Sequence, residues 1–322
     1  MLSYFDISSA EVRSIGYLSK DPKMIELFET RQDVYVYLGK IAFPDGPWDT
    51  DKSFYKNKRR IFKQIMLGSL YGMGVNTLSV NAAITVDEAI RLQETMFREF
   101  YVLKRFIDEN MQYPLNHDGY LRTLLGDTLR SDKWKYLYKP NGQIDRGTEA
   151  QIKRHGINYV VQGASATILA SGFYNNFRAA KEEGFVIEPI ICVHDSCTNY
   201  FPVNKLFDLK SFYDKNFTDF CRDKCNVPFL FDLLVGVNYE SAVELKQVDT
   251  DTLQIKGNSD SILGVINKLE YESDIKFKLD IPKESIVPKY TENPVERFIK
   301  SDGNACIDLD NSEYVVKISR VA

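Results

Sequence analysis

A chain of 322 residues with 44% hydrophobic and 13% aromatic content is long enough for one large domain or two ordinary ones and can bury a substantial core. A net charge of −4 argues against coating nucleic acid by bulk electrostatics. No apolar run reaches the ~18 to 20 residues of a membrane span. The start, Met1 to Arg13, meets charge too early for a signal peptide, so a soluble, cytoplasmic protein is expected. Five cysteines (Cys192, Cys197, Cys221, Cys225, Cys306) without a C-x-x-C pair read as reduced, mostly buried thiols rather than as a zinc site.

The acidity is local. Residues 249–322 hold 14 acidic against 10 basic side chains, which accounts for the whole net charge and leaves the preceding body balanced. That body can still carry a positive groove.

In chain order, Leu2 to Ile7 is a short apolar run interrupted by Asp6, and Ser8-Ser9-Ala10-Glu11 opens an amphipathic helix through Leu18. A carboxylate in a buried strand is costly unless paired or holding a cation, so Asp6 is a metal candidate; an N-cap or paired strand-end acid is the plain alternative. A second helix is expected over residues 23–38, then a loop at Phe43-Pro44-Asp45-Gly46-Pro47.

Lys58 to Gly74 follows, with Arg59, Lys63, Leu67 and Tyr71 spaced four apart, one slowly drifting stripe on a helix. Two cations, an apolar side chain and a ring suit a polyphosphate, a sugar and a base. A solvated basic helix end leading into a core face has the same pattern.

Thr85 to Glu88 is a capping box ahead of a long amphipathic helix reaching about Met111. His117-Asp-Gly-Tyr and Leu125-Gly126-Asp127 read as a hairpin. A helix from about Thr148 to Glu183 carries Arg154, Asn158 and Gln162 in a polar line, which suits a nucleic-acid groove or simply solvent. Val186 to Phe201 reads as a β-hairpin with His194 and Asp195 at its tip, where an Asp is most simply a turn residue. A helix over residues 204–225 and a strand over 228–237 come next. Residues 260–269 read as a helix, and 275–281, 304–309 and 314–318 as strands.

Together, Asp6-Ile-Ser-Ser-Ala-Glu-Val-Arg13, Arg59-x3-Lys63-x7-Tyr71-Gly72 and Val193-His-Asp195, in that order and with Arg154, Asn158 and Gln162-Gly163 before the last, resemble the A, B and C motifs of family A DNA polymerases. The resemblance covers roughly Leu2 to Glu244. It implies an α+β fold, a right-hand palm built on an antiparallel sheet with helical fingers. The implied layout is palm and fingers over 1–245, fingers about 23–130, and a small acidic α/β module over 246–322.

The resemblance also implies chemistry. Asp6 and Asp195 would hold two Mg²⁺ ions for transfer of deoxynucleotides from dNTP to a primer 3′-hydroxyl. Arg59 and Lys63 would grip the triphosphate, Lys63 also protonating the leaving pyrophosphate. Leu67 would lie against the sugar and Tyr71 would flank the nascent base pair. Glu11 would crowd the 2′ position, and His194 would sit near the primer terminus. Arg154, Asn158 and Gln162 would touch the minor groove of primer-template DNA.

Departures from the family pattern stand beside these expectations. Leu67 replaces an aromatic ring, Ser196 replaces a glutamate after Asp195, Ile7 and Ser9 differ within motif A, and Tyr35 occupies a phosphate-contacting histidine position. Tyr35 is expected to offer a hydroxyl to phosphate in place of a charge.

The thumb and any exonuclease precede motif A in this family, whereas Asp6 lies at the start of this sequence. A separate N-terminal polymerase chain carrying the thumb is therefore expected, a splitting that looks phage-like and would place the protein in a host cytoplasm. The opening strand is expected to present an unpaired edge. The acidic module is read as a docking element for that half or another replication protein, or as decoration. A non-catalytic assembly subunit and a single-subunit RNA polymerase are the rival readings; Glu11 speaks for deoxynucleotides.

Overall fold

In the computed structural model of the chain, residues 1–122, 128–280 and 314–321 are described. The expected Leu125-Gly126-Asp127 turn, the 304–309 strand and Cys306 lie outside them. The chain divides into two compact units.

The first unit comprises Met1–Ser8, Ser171–Phe220 and Phe229–Ala322. Its centre is an eight-stranded antiparallel sheet. The strands are β1 (Leu2–Ile7), β4 (Glu188–Val193), β5 (Ser196–Tyr200), β6 (Phe231–Gly236), β7 (Ala242–Gln247), β8 (Thr252–Gly257), β9 (Phe277–Asp280) and β10 (Tyr314–Arg320), ordered β4-β5-β1-β6-β7-β8-β10-β9.

Strand β1 reads with period two: Ser3, Phe5 and Ile7 are buried, whereas Asp6 on the other face is exposed. Phe5 anchors the core, stacked on Phe231 at 4.1 Å and edge-on to Phe217 at 4.8 Å and Phe173 at 5.7 Å. Truncating a ring so enclosed costs about 3–5 kcal/mol. Beneath it, the buried Tyr213 hydroxyl is satisfied by Ser3 Oγ and Asn199 Nδ2, both at 3.0 Å.

The expectation of an unpaired β1 edge is corrected. Strand β1 lies inside the sheet, paired with β5 on one side and β6 on the other, because the sequence after residue 185 returns to flank it. Strands β7 and β8 had not been read from the sequence. They continue the same sheet, and residue 245 falls inside β7.

The helices of this unit are the last part of α8 (Arg146–Glu183, from Ser171 on), α9 (Leu206–Tyr213), α10 (Phe220–Cys225, of which only Phe220 belongs here) and α11 (Ser259–Glu272). A π-helical stretch over Asp214–Asp219 joins α9 to α10. Asn258 caps α11, accepting from Ser261 N at 2.8 Å.

The second unit comprises Ser9–Ala170 and Cys221–Pro228. It contains α1 (Ala10–Ser19), α2 (Pro22–Glu29), α3 (Val34–Ala42), α4 (Lys52–Leu70), α5 (Val75–Ala82), α6 (Val86–Glu99), α7 (Tyr101–Asn116) and a hairpin of β2 (Tyr120–Arg122) with β3 (Thr128–Arg130). Helix α8 (Arg146–Glu183) contributes its residues up to Ala170.

Two expected long helices are broken here. The stretch 23–38 becomes α2 and α3, because Arg31 turns left-handed (φ 54°) and Asp33 restarts the helix as an N-cap. The stretch toward Met111 breaks at Phe100, where ψ is 62°. The capping box reading of Thr85 stands, since its hydroxyl accepts from Glu88 N. Helix α5 had been missed; Gly74 opens it without a side-chain cap.

Helix α8 approaches α7 at Gly156, where an added Cβ would lie 2.2 Å from the Asn110 carbonyl oxygen. Only glycine fits. Among the described residues no helix is long and apolar enough to cross a membrane.

Candidate active site

The acids come together within the sheet unit. Asp6 faces Ser196 across the β1–β5 pairing, and Ile7 N donates to the Asp195 carbonyl at 3.0 Å. Two carboxylates 189 positions apart in sequence thus lie near each other, Asp6 on β1 and Asp195 in the turn that enters β5. His194, beside Asp195 at the β4–β5 turn, is exposed and left-handed (φ 54°), and Ser196 Oγ donates back to the Val193 carbonyl.

Sequence reasoning missed a third carboxylate. Asp232 on β6 lies directly opposite Asp6 in the β1–β6 register, and its Oδ2 accepts from Ser8 Oγ at 3.2 Å. Strand alternation in Phe231-Asp-Leu-Leu-Val places Asp232 on the solvent face; the pairing partner is what the sequence does not print.

Burial first, then the charges of Asp195 and Asp232, hold the Asp6 carboxyl above its ordinary range. Among the described residues no group of three or more His, Cys, Asp or Glu side chains is arranged to hold a metal ion. The donor set at β1 and the β4–β5 turn is Asp6 and Asp195. Hard oxygen donors with unrelieved mutual repulsion fit a hard divalent cation such as Mg²⁺, whose charge would remove the repulsion.

The cations lie in the other unit, on α4. Asp51 caps that helix, its Oδ1 accepting from Ser53 N at 2.8 Å and Phe54 N at 3.0 Å. Ile61, Phe62, Ile65, Met66 and Leu70 form its buried face. Arg59, Lys63, Leu67 and Tyr71 fall on the remaining face; Lys63 is exposed and the other three are half-buried. The helix closes with Gly72 N donating to Ser69 O and Met73 N to Gly68 O, a Schellman pattern that requires the left-handed Gly72 (φ 66°).

Arg59 is held in place. Its Nε donates to Asp33 Oδ2 at 2.7 Å, and its guanidinium carbon lies 5.4 Å from the centre of the Tyr35 ring. Tyr35 is only 2% exposed. The expectation that Tyr35 offers a hydroxyl to phosphate gives way to a ring packed under the arginine.

Tyr71 sits near Glu11 and Gln162. Its buried hydroxyl closes no hydrogen bond of ordinary geometry, and burial, followed by Glu11, pushes the phenol well above its usual value. Arg154 and Asn158 are half-buried and Gln162 is exposed; among the described residues the buried Asn158 side-chain Oδ1 has no hydrogen-bond partner. The Arg154 Cγ packs 3.1 Å from where a Gly72 Cβ would stand.

These features define a polymerase-type palm sheet and a separate helical unit. The fold is that of a polymerase domain: it matches the POL domain of Pol1 from M. smegmatis, solved in complex with DNA primer-template and dNTP, at a TM-score of 0.60 and 22% identity, over 72% of this chain and 38% of that one. The family model of DNA polymerase family A matches residues 1–241, and the chain belongs to that family.

Among curated relatives, DNA polymerase I of Chloroflexus aurantiacus is 26% identical over 235 residues, 73% of this chain and 24% of that protein. The thermostable DNA polymerase I of Thermus thermophilus is 27% identical over 190 residues, 59% of this chain and 21% of its own length. This chain thus spans about a quarter of the relatives it matches.

Proposed function

We propose that the chain is the palm-and-fingers part of a template-directed DNA polymerase, adding deoxynucleotides from dNTP to a primer 3′-hydroxyl. The observation that carries the reading is the convergence of Asp6 on β1 with Asp195 at the turn into β5, where neighbouring acids hold the Asp6 carboxyl above its ordinary range. Both carboxylates would hold Mg²⁺. Two such ions, when bound, lower the pKa of an attacking hydroxyl and neutralise a triphosphate.

The chain's own groups supply the rest. Arg59 and Lys63 bind the triphosphate oxygens, and the exposed Lys63 gives a proton to the departing pyrophosphate. Leu67 offers apolar contact to the sugar, and Tyr71 a flat surface to the base. Glu11 fills the space a 2′-hydroxyl would need. Arg154, Asn158 and Gln162 contact the minor groove, where A·T and G·C pairs share acceptor positions and shape can be checked without reading sequence. His194 contacts the primer end. Tyr35 acts through Arg59 rather than on phosphate.

Within residues 246–322, β8, β9, β10 and α11 extend the palm unit and offer a surface to another replication protein.

Primer extension with dNTP or rNTP, with and without a candidate N-terminal partner, tests the whole. Incorporation of dNTP that Asp6→Ala and Asp195→Ala each abolish is the expected result. Incorporation unaffected by either substitution would refute the assignment, a preference for rNTP would favour an RNA polymerase, and no incorporation with any partner would favour an assembly subunit.

A further inference from the structure

Asp33 uses its two carboxylate oxygens differently. Oδ1 caps α3, accepting from Tyr35 N at 2.9 Å and Val36 N at 3.0 Å, while Oδ2 accepts from Arg59 Nε at 2.7 Å. Capping alone needs one oxygen, and asparagine would serve as well. The second oxygen, and the buried ring under the guanidinium, are left over from that account.

The geometry of the pair is selective. Engagement through Nε fixes the guanidinium plane from its inner edge, and among the described residues no acceptor engages Nη1 or Nη2. Those two nitrogens form the fork that matches phosphate oxygens. The Tyr35 ring, itself buried, limits rotation from below. A long cation that would otherwise sample many rotamers is set in one before any ligand arrives, which lowers the entropy lost on binding.

We propose that Asp33 is a positioning residue for nucleotide binding, holding Arg59 against the Tyr35 ring so that its outer edge receives the triphosphate. This rests on the reading of Arg59 as a triphosphate ligand. It goes beyond that reading by assigning the recognition to a three-residue unit in which the anion next to the cation aids binding instead of competing with it.

Asp33→Asn keeps the cap and weakens the hold on Arg59. Binding of inorganic tripolyphosphate to the chain by calorimetry and, in the primer-extension assay, KM for dNTP are each expected to weaken about tenfold, with kcat within about threefold of wild type. The melting midpoint should be unchanged. Asp33→Ser, which caps through its hydroxyl but cannot reach Arg59, should give the same split should the asparagine variant fold poorly. In an Arg59→Ala background either change should add nothing.

Wild-type affinity in Asp33→Asn would mean that Asp33 only caps a helix, and tighter binding would mean that it competes with phosphate; each overturns the proposal. If Arg59→Ala itself leaves tripolyphosphate binding intact, the nucleotide-binding reading of Arg59 falls and this inference with it. Loss in Arg59→Ala without loss in Asp33→Asn leaves that reading standing and removes the inference alone.

Discussion

The acid-bearing sheet and the basic helix handle charge in opposite ways. At β1, Asp6 stands across from Asp232 and near Asp195, and these like charges, after burial, hold its carboxyl above its ordinary range. On α4, Arg59 already has an anion at 2.7 Å and an aromatic floor. The difference teaches what each region is prepared for. On the proposed function the acids await a divalent cation, whereas the arginine is oriented at little electrostatic cost with its outer nitrogens directed to a ligand.

The largest way to break this comparison is to remove the acids. Asp6→Asn or Asp195→Asn is expected to reduce single-nucleotide incorporation by about 10³-fold or more, because on the proposed function each removes a carboxylate that would hold the metal ions. On the cationic side, Arg59→Ala and Lys63→Ala should each weaken dNTP binding by about 10- to 100-fold, read as KM. Equal, small effects from both regions would contradict the account.

A structural control comes next. Gly156→Ala drives a methyl into the Asn110 carbonyl, and a loss of about 2–4 kcal/mol in denaturant unfolding is expected. It touches neither region and should leave the relative effects of the acid and cation substitutions unaltered.

Asp6 also makes a prediction in pH. A carboxyl whose folded-state pKa is raised favours folding below its ordinary value of 3.8 and loses that contribution as pH rises through the raised value. Metal-free Asp6→Asn should therefore melt slightly above wild type at neutral pH, by about 1–2 °C, with the gap closing below about pH 4. The smallest effect is at Tyr71. Removing an unpaired buried hydroxyl with Tyr71→Phe should be neutral or stabilising by up to about 1 kcal/mol, because nothing is left unsatisfied in its place.

Much of this was legible in the amino-acid order. The strand over Leu2–Ile7, the 186–201 hairpin and the basic helix through Leu70 follow from period-two and period-four patterning that burial enforces. Asp6, Asp195 and the α4 stripe were found as motifs because their spacing is local. What was lost depends on partners distant in sequence. Asp232 reads as an ordinary exposed strand residue until register places it opposite Asp6. Tyr35 reads as a hydroxyl donor until packing buries it under Arg59.

The helix breaks at Arg31 and Phe100 were missed for another reason. Neither residue is glycine or proline, so each takes its unusual backbone from the packing around it. The edge expected for β1 failed because strand neighbours are chosen by the whole sheet, not by position in the chain.

The most direct test of the central claim is a titration of the chain with Mn²⁺, followed by electron paramagnetic resonance of the free ion, for wild type, Asp6→Asn and Asp195→Asn. Ion uptake by wild type that falls sharply in both variants is the predicted result. Uptake that is the same in all three, or absent from wild type with dNTP and primer-template present, would contradict the account.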